Sequence, residues 1–319
     1  MSLAPHVATL GRGPGRSRSL SRDEAADAMA GMLSGDAAPE AIGAVLMLLR
    51  MKGETADEIA GFAQAAQAAV PDLPRADLDW PSYAAGRTRG LPWFLLAARL
   101  VAQAGHRVVL HGWNGSDASV RAHLSAAGIA VARDGAGAER ALEASGLVYL
   151  PLEDLHPRLF DLLALRPVLG LRSCINTVAR MLNPSRAGAS VQGVFHPSYR
   201  LVQADAAGLL CWRALSVIKG GGGEFERHPA KRIAGFGLRA GAPWEATHDA
   251  LCTDTRRLAE TEAGVDLAGL WSGVVRDDFA QAIVIGTAAL ALDTLGARDA
   301  LEQAKALWRD RGPLKEHAA

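Results

Sequence analysis

The sequence predicts an α/β protein in which a small N-terminal helical domain precedes a larger domain with a mostly parallel sheet. Three observations predict it. Hydrophobic residues recur at helical spacing from Ala25 to Val70. From Tyr83 onward, short apolar runs alternate with helical patterns, as in parallel strands joined by crossover helices. Between the two regimes stand Pro71, Pro74 and Pro81. These breaks place a helical domain at 1–72 and an α/β domain at 73–319, with inserted helices at about 156–184 packing back on the first domain.

The opening G-R-G-P-G-R-S-R is too rich in Gly and Arg to pack. Ser21–Glu24 is a capping box, followed by Ala25, Met29, Met32 and Leu33 at helical spacing. Pro39 suits a helix first turn, and Ile42, Val45, Leu46 and Leu49 mark one face of the next helix. Thr55–Glu58 is a second capping box, ahead of Ile59, Phe62, Ala66 and Val70. Trp80–Gly115 then reads as a turn-rich loop, a helix over Leu91–Ala104 and a buried strand at Val108–Leu110. Further strands are expected at Leu147–Leu150, Val191–Phe195 and Leu215–Ile218, and near Ile129. Two helical stretches, His156–Leu165 and Arg172–Leu182, follow one another without a strand. The C-terminal part reads as mostly helical, notably Asp277–Leu295 and Asp299–Arg311.

Formal net charge is zero, but charge is segregated along the chain. Met1–Arg22 and Pro81–Ser116 contain no acid, and Leu155–Arg186 sets five arginines against Asp161 alone, whereas acids outnumber bases after Glu245. Three scattered cysteines, Cys174, Cys211 and Cys252, show no metal spacing and suggest reduced thiols in the cytoplasm. The longest apolar run, Phe279–Leu292, falls short of the ~20 residues of a membrane span.

A loop that enters a helix N-terminus beside a strand ending at glycine is a common anion site. Arg87 and Arg89 lie on that loop and are the leading phosphate contacts, with His111 and Asn114 at the strand end. Arg12, Arg16 and Arg18 form a flexible basic arm in this reading. Arg158 and Arg166, in the inserted helices, are further candidate phosphate contacts, whereas Arg172 is expected to make an ion pair or helix-end contact. Lys219 and Arg227 flank the Gly220–Gly223 run, which lacks the ending of an ATP-binding P-loop. Tyr83, and with it Trp113, offers a face for stacking on bases. Trp93, inside an apolar helix, is expected in the core.

Arg166–Pro184, R-P-V-L-G-L-R-S-C-I-N-T-V-A-R-M-L-N-P, resembles a signature of anthranilate phosphoribosyltransferase. Met32–Gly35, Leu49–Thr55 and Gln192–Phe195 also look like segments of that family, so the resemblance covers nearly the whole chain. It implies a helical domain joined to a larger α/β domain, dimerisation through the helical part and an active site in the cleft between them. It also implies phosphoribosyl pyrophosphate with Mg²⁺, bound by a G-T-G-G-D loop, a K-H-G-N-R segment and a paired Asp-Glu.

All three places depart from that pattern. The loop reads Ser82–Arg87, with one glycine where a diphosphate cradle needs close backbone approach. The second segment reads Leu110-His111-Gly112-Trp113-Asn114. The third reads as Glu224 and Glu226, separated by one residue. The chain is similar to a divergent YbiB-type branch of the family at Gly11–Gly13, Pro81–Tyr83, Val109–Gly112 and Lys219–Gly220. That likeness implies a homodimeric protein that binds single-stranded DNA or RNA without sequence preference and uses no cofactor. The alternative is a phosphoribosyltransferase or phosphorylase with an altered acceptor, in which Glu224 and Glu226 hold Mg²⁺.

Overall fold

The computed structural model describes residues 2–84, 90–113, 120–254, 256–258, 260 and 264–314. Four helices open the chain: α1 (Ala4–Gly11), α2 (Arg22–Ser34), α3 (Pro39–Lys52) and α4 (Ala56–Ala68). α1 corrects the expectation of an unpacked opening. Leu3, His6 and Leu10 share one helical face and are buried, and α1 packs on α3.

Both capping boxes form. Glu58 is wholly buried, and its carboxylate accepts from Lys52 Nζ (2.8 Å), Thr55 N (2.8 Å) and Leu20 N (2.9 Å), tying three segments of the bundle together. Arg18 forms an ion pair with Glu24 at 2.6 Å. That bond and the Ser21 backbone N–H lower the Glu24 pKa from the ordinary 4.5 to about 2. A depressed carboxylate contributes stability that is fully present above pH 4.5 and is lost as pH falls through about 2. Both partners are solvated, so the contribution is expected to stay below about 1 kcal/mol. Arg18→Ala should flatten this part of an acid-unfolding profile.

The α/β part runs β1 (Leu78–Ser82), α5 (Phe94–Gln103), β2 (Val108–Gly112), β3 (Ala130–Val131), α6 (Gly135–Ser145) and β4 (Leu147–Pro151). Four helices follow without a strand: α7 (Leu152–Leu155), α8 (Pro157–Ala164), α9 (Arg166–Leu169) and α10 (Ile175–Arg180). Then come β5 (Ala189–Val194), α11 (Tyr199–Leu209), β6 (Ala214–Lys219), β7 (Ile233–Arg239) and β8 (Ala242–His248). α12 (Leu267–Ser272), α13 (Asp278–Thr294) and α14 (Ala300–Arg309) complete it. The strands form one sheet in the order β3-β4-β2-β1-β5-β6-β7-β8, parallel up to β6 and antiparallel from β6 to β8.

Three strands were not expected from the sequence. β1, L-D-W-P-S, was read as loop because Asp, Pro and Ser interrupt it, yet it lies in the middle of the sheet. Pro81 is tolerated there because β5 pairs only with Leu78 and Asp79, so β2 is its one partner at that level. β7 and β8 form a hairpin closed by Ala240 and Gly241, with φ of 51° and 80°. Two left-handed residues match the twist of a two-residue hairpin, but alanine is an unusual first choice.

One face of the sheet packs on the helical bundle, and α10 lies against α4. The other face buries α5, α13 and α14, with Trp93 in that core as expected. The C-terminal ends of β1, β5 and β6 therefore meet the helical bundle.

Candidate functional site

At that junction lies a cavity of about 510 Å³, lined by Arg50 from the end of α3, Arg166, Leu171, Arg172, Asn176, Arg180, Phe195, Tyr199, Gln203 and Gly222, among others. Its charge is lopsided. No described carboxylate forms an ion pair with Arg50, Arg166 or Arg172. Burial, then the neighbouring Arg166 and Arg50, lowers the pKa of Arg172. The expectation of an ion pair for Arg172 is therefore corrected: it lines the cavity alongside other cations.

Arg180 is the structural member of the group. Buried, it donates through Nε to Gly193 O (3.0 Å), through Nη2 to Tyr83 O (3.1 Å) and through Nη1 to Asn176 O (2.9 Å). Burial pushes its pKa down to about 10. Behind this wall runs a polar network with no solvent access. Tyr83 OH pairs with His111 Nδ1 (2.8 Å), His111 Nε2 with Asp79 Oδ1 (3.0 Å), and Ser190 Oγ donates to Asp79 Oδ2 (2.7 Å). Gln192 and Gln203 continue the network to the cavity.

Other site residues expected from the sequence are dispersed. Tyr83 and His111 are wholly buried, so neither presents a surface to a ligand. Arg158 donates to Leu33 O and Asp161. Arg227 is buried against α13, away from the junction. Arg12 and Arg16 are exposed beyond α1, and Lys219 is exposed at the end of β6. Trp113 is half-buried with its ring edge-on to Phe160. Arg87, Arg89 and Asn114 lie outside the described residues. Among the described members of the predicted set, Arg166 alone lines the cavity. Arg50 and Asn176 were missed as site residues, although both sit inside the segments that carried the family resemblance.

Glu224 and Glu226 were the alternative metal ligands. Glu224 Oε1 accepts from Ser82 Oγ and Ala84 N, both at 3.0 Å, and Glu226 Oε2 accepts from Phe94 N at 3.0 Å. Both are wholly buried. They fasten the two ends of the segment between β1 and α5. With one oxygen of each glutamate engaged by N–H and O–H donors and both side chains buried in the core, the pair as placed does not fit a Mg²⁺ site, which needs oxygens offered to the ion and its waters. Among the described residues, no group of three or more His, Cys, Asp or Glu side chains could hold a metal.

Residues 6–70 match a glycosyl transferase family, helical bundle domain. Anthranilate phosphoribosyltransferase of Halobacterium salinarum is 34% identical over 229 residues, 67% of this chain and 66% of that protein. The enzyme of Roseiflexus sp. is 33% identical over 65% of this chain and 62% of its own length. Anthranilate phosphoribosyltransferase from Thermus thermophilus superposes with a TM-score of 0.76 over 97% of this chain and 94% of that one, at 23% identity. The chain is anthranilate phosphoribosyltransferase-like, with the glycosyltransferase family 3 fold. It spans just under two thirds of the length of the two curated relatives named above. A further neighbour of this family 3 chain is the Saccharomyces cerevisiae enzyme in complex with PRPP and Mg, with a TM-score of 0.75 at 17% identity.

These relatives overturn nucleic-acid binding as the main reading of this chain. They are named as phosphoribosyltransferases, and three of the described basic residues on which the reading rested have other partners or are buried. Arg18 is paired, Arg158 is engaged and Arg227 is buried. No helix among the described residues is long and apolar enough to cross a membrane.

Proposed function

We propose that this protein is a pentosyltransferase of the family 3 type, a phosphoribosyltransferase or phosphorylase with an altered acceptor. The observation that carries the reading is the cavity at the domain junction, where Arg50, Arg166 and Arg172 converge with no acid among the described lining residues. In such a transfer the acceptor's nucleophile bonds to the anomeric sugar carbon as the bond to the leaving phosphate or pyrophosphate breaks. Negative charge grows on the leaving oxygens, and preorganised guanidinium donors stabilise it. The same groups would hold a carboxylate on the acceptor. Leu171 and Phe195, 49% and 58% exposed, give the rim an apolar side for a flat ring. No step is routed through Mg²⁺, since the two glutamates as placed do not fit it.

The test is calorimetry with phosphoribosyl pyrophosphate, with and without Mg²⁺, followed by assays of pyrophosphate release with anthranilate and other aromatic amines. Binding is expected, and Arg172→Ala should weaken it at least about tenfold, or 1.4 kcal/mol. Absence of both binding and release, with or without metal, would sink the reading. We also propose a homodimer through the helical bundle, where Met51 and Val168 are 83% and 80% exposed. Light scattering should give twice the chain mass, and Met51→Glu should lower it.

A further inference from the structure

A second cavity, of about 350 Å³, lies among the β8 end, α13 and the N-terminus of α14. Its polar lining is Arg227, 4% exposed, with His248, Asp249 and Asp293. The backbone N–H of Arg227 donates to Thr287 Oγ1 at 2.9 Å, and Nη2 donates to the carbonyl of Asp249. The side chain crosses α13 at Gly286, where a Cβ would sit 3.0 Å from Arg227 Cδ and 2.6 Å from Leu251 Cδ1. Glycine there makes room for a buried cation.

That cation has no acid of its own. No described carboxylate lies within ion-pairing distance of Arg227, and Nε is buried without a partner. The two acids in the lining are committed elsewhere: Asp293 pairs with Arg239 at 2.5 Å and Asp249 with Arg232 at 3.5 Å. Burial, opposed by the charge of Asp249, pushes the Arg227 pKa down to about 10, so the guanidinium stays charged at neutral pH with no carboxylate bonded to it. An unpaired buried charge is costly unless something pairs with it. The first turn of α14, Ala300 and Leu301, faces the same space, and its N-cap Asp299 makes no side-chain cap bond. Those N–H groups add to the positive end.

We propose that this cavity is a second ligand site, for a small carboxylate with a short apolar body. The carboxylate sits on Arg227, and the body lies among Leu251, Leu290 and Leu301. One unpaired cation matches one negative charge, and the planar guanidinium fork matches a carboxylate. Asp249 and Asp293 at the edge disfavour a multiply charged phosphate. The inference goes beyond the transfer reaction and does not depend on it.

Sodium hexanoate is the probe, with hexylamine as a control that keeps the body and reverses the charge. Calorimetry on the full chain should show saturable hexanoate binding that raises the unfolding temperature, with no effect of hexylamine. Arg227→Met should weaken hexanoate binding at least tenfold without lowering the unfolding temperature of the unliganded protein. Ala289→Phe, which fills the cavity and leaves Arg227 in place, should also abolish binding, and it carries the test if Arg227→Met does not fold. Phosphoribosyl pyrophosphate binding should be unchanged in both variants, so this site and the junction cavity fail or stand separately. No hexanoate binding, or equal binding by wild type and Arg227→Met, would overturn the proposal.

Discussion

Replacing Asp79 with alanine is expected to lower the unfolding free energy by about 3–5 kcal/mol, because it strands two buried donors at roughly 1–3 kcal/mol each. Asp79 is 1% exposed, and its two oxygens serve His111 and Ser190. With Nε2–H of His111 directed at Asp79, Nδ1 is left to accept from Tyr83 OH, and burial raises the phenol's pKa so that it keeps its proton. Removing the carboxylate leaves an imidazole N–H and a hydroxyl unsatisfied in the core. It also loosens Tyr83, whose carbonyl accepts from Arg180 and Asn176 in the cavity wall. Tyr83→Phe, which removes a single hydrogen bond, should cost only about 1–2 kcal/mol. Urea unfolding of the three proteins at one pH checks the order. An Asp79→Ala protein within about 1 kcal/mol of wild type would show that the network contributes little to stability.

The helical bundle was legible because its signals are local. A capping box sets Ser21 beside Glu24 and Thr55 beside Glu58, and the apolar spacing names the buried face. The parallel strands β2, β4, β5 and β6 were legible as apolar runs. β1 was not, because Asp79 and Ser82 are buried polar residues whose partners, Ser190, His111 and Glu224, are distant in sequence. The site suffers from the same limit. Arg172 and Arg180 are eight positions apart, chemically alike and both in the cavity lining, yet one stands among other cations and the other is satisfied by the carbonyls of Gly193 and Tyr83. Only the fold decides which. Counting basic residues along the chain therefore over-read Arg18, which pairs with Glu24, Arg158, which reaches the Leu33 carbonyl, and Arg227, which is buried. Eroded family segments misled in the opposite direction: Tyr83 and His111, read there as ligand contacts, are wholly buried.

Gly220→Ala should be at least as damaging to the site as any arginine change, although it adds one methyl group. Gly220 has ordinary extended backbone angles, φ −102° and ψ 176°, so the obstacle is space and not conformation. A Cβ there would lie 1.6 Å from Glu224 O and 3.1 Å from Glu226 N, and both are backbone atoms that cannot rotate aside. The chain from Gly221 to Glu226 must move, and it takes with it the carboxylates that hold Ser82, Ala84 and Phe94. We expect a loss of about 3 kcal/mol or more. Phosphoribosyl pyrophosphate binding should weaken as well, even in the folded fraction, because Gly222 at the cavity edge moves with the same turn. Gly208→Ala is the matched control. It lies in α11 with nothing within 4 Å of the added methyl, and alanine there should be neutral or stabilising by up to about 1 kcal/mol. Equal stability of the two variants would mean that Glu224 is not held against β6 as the packing shows, and the account of Glu224 and Glu226 as internal fasteners would fall with it.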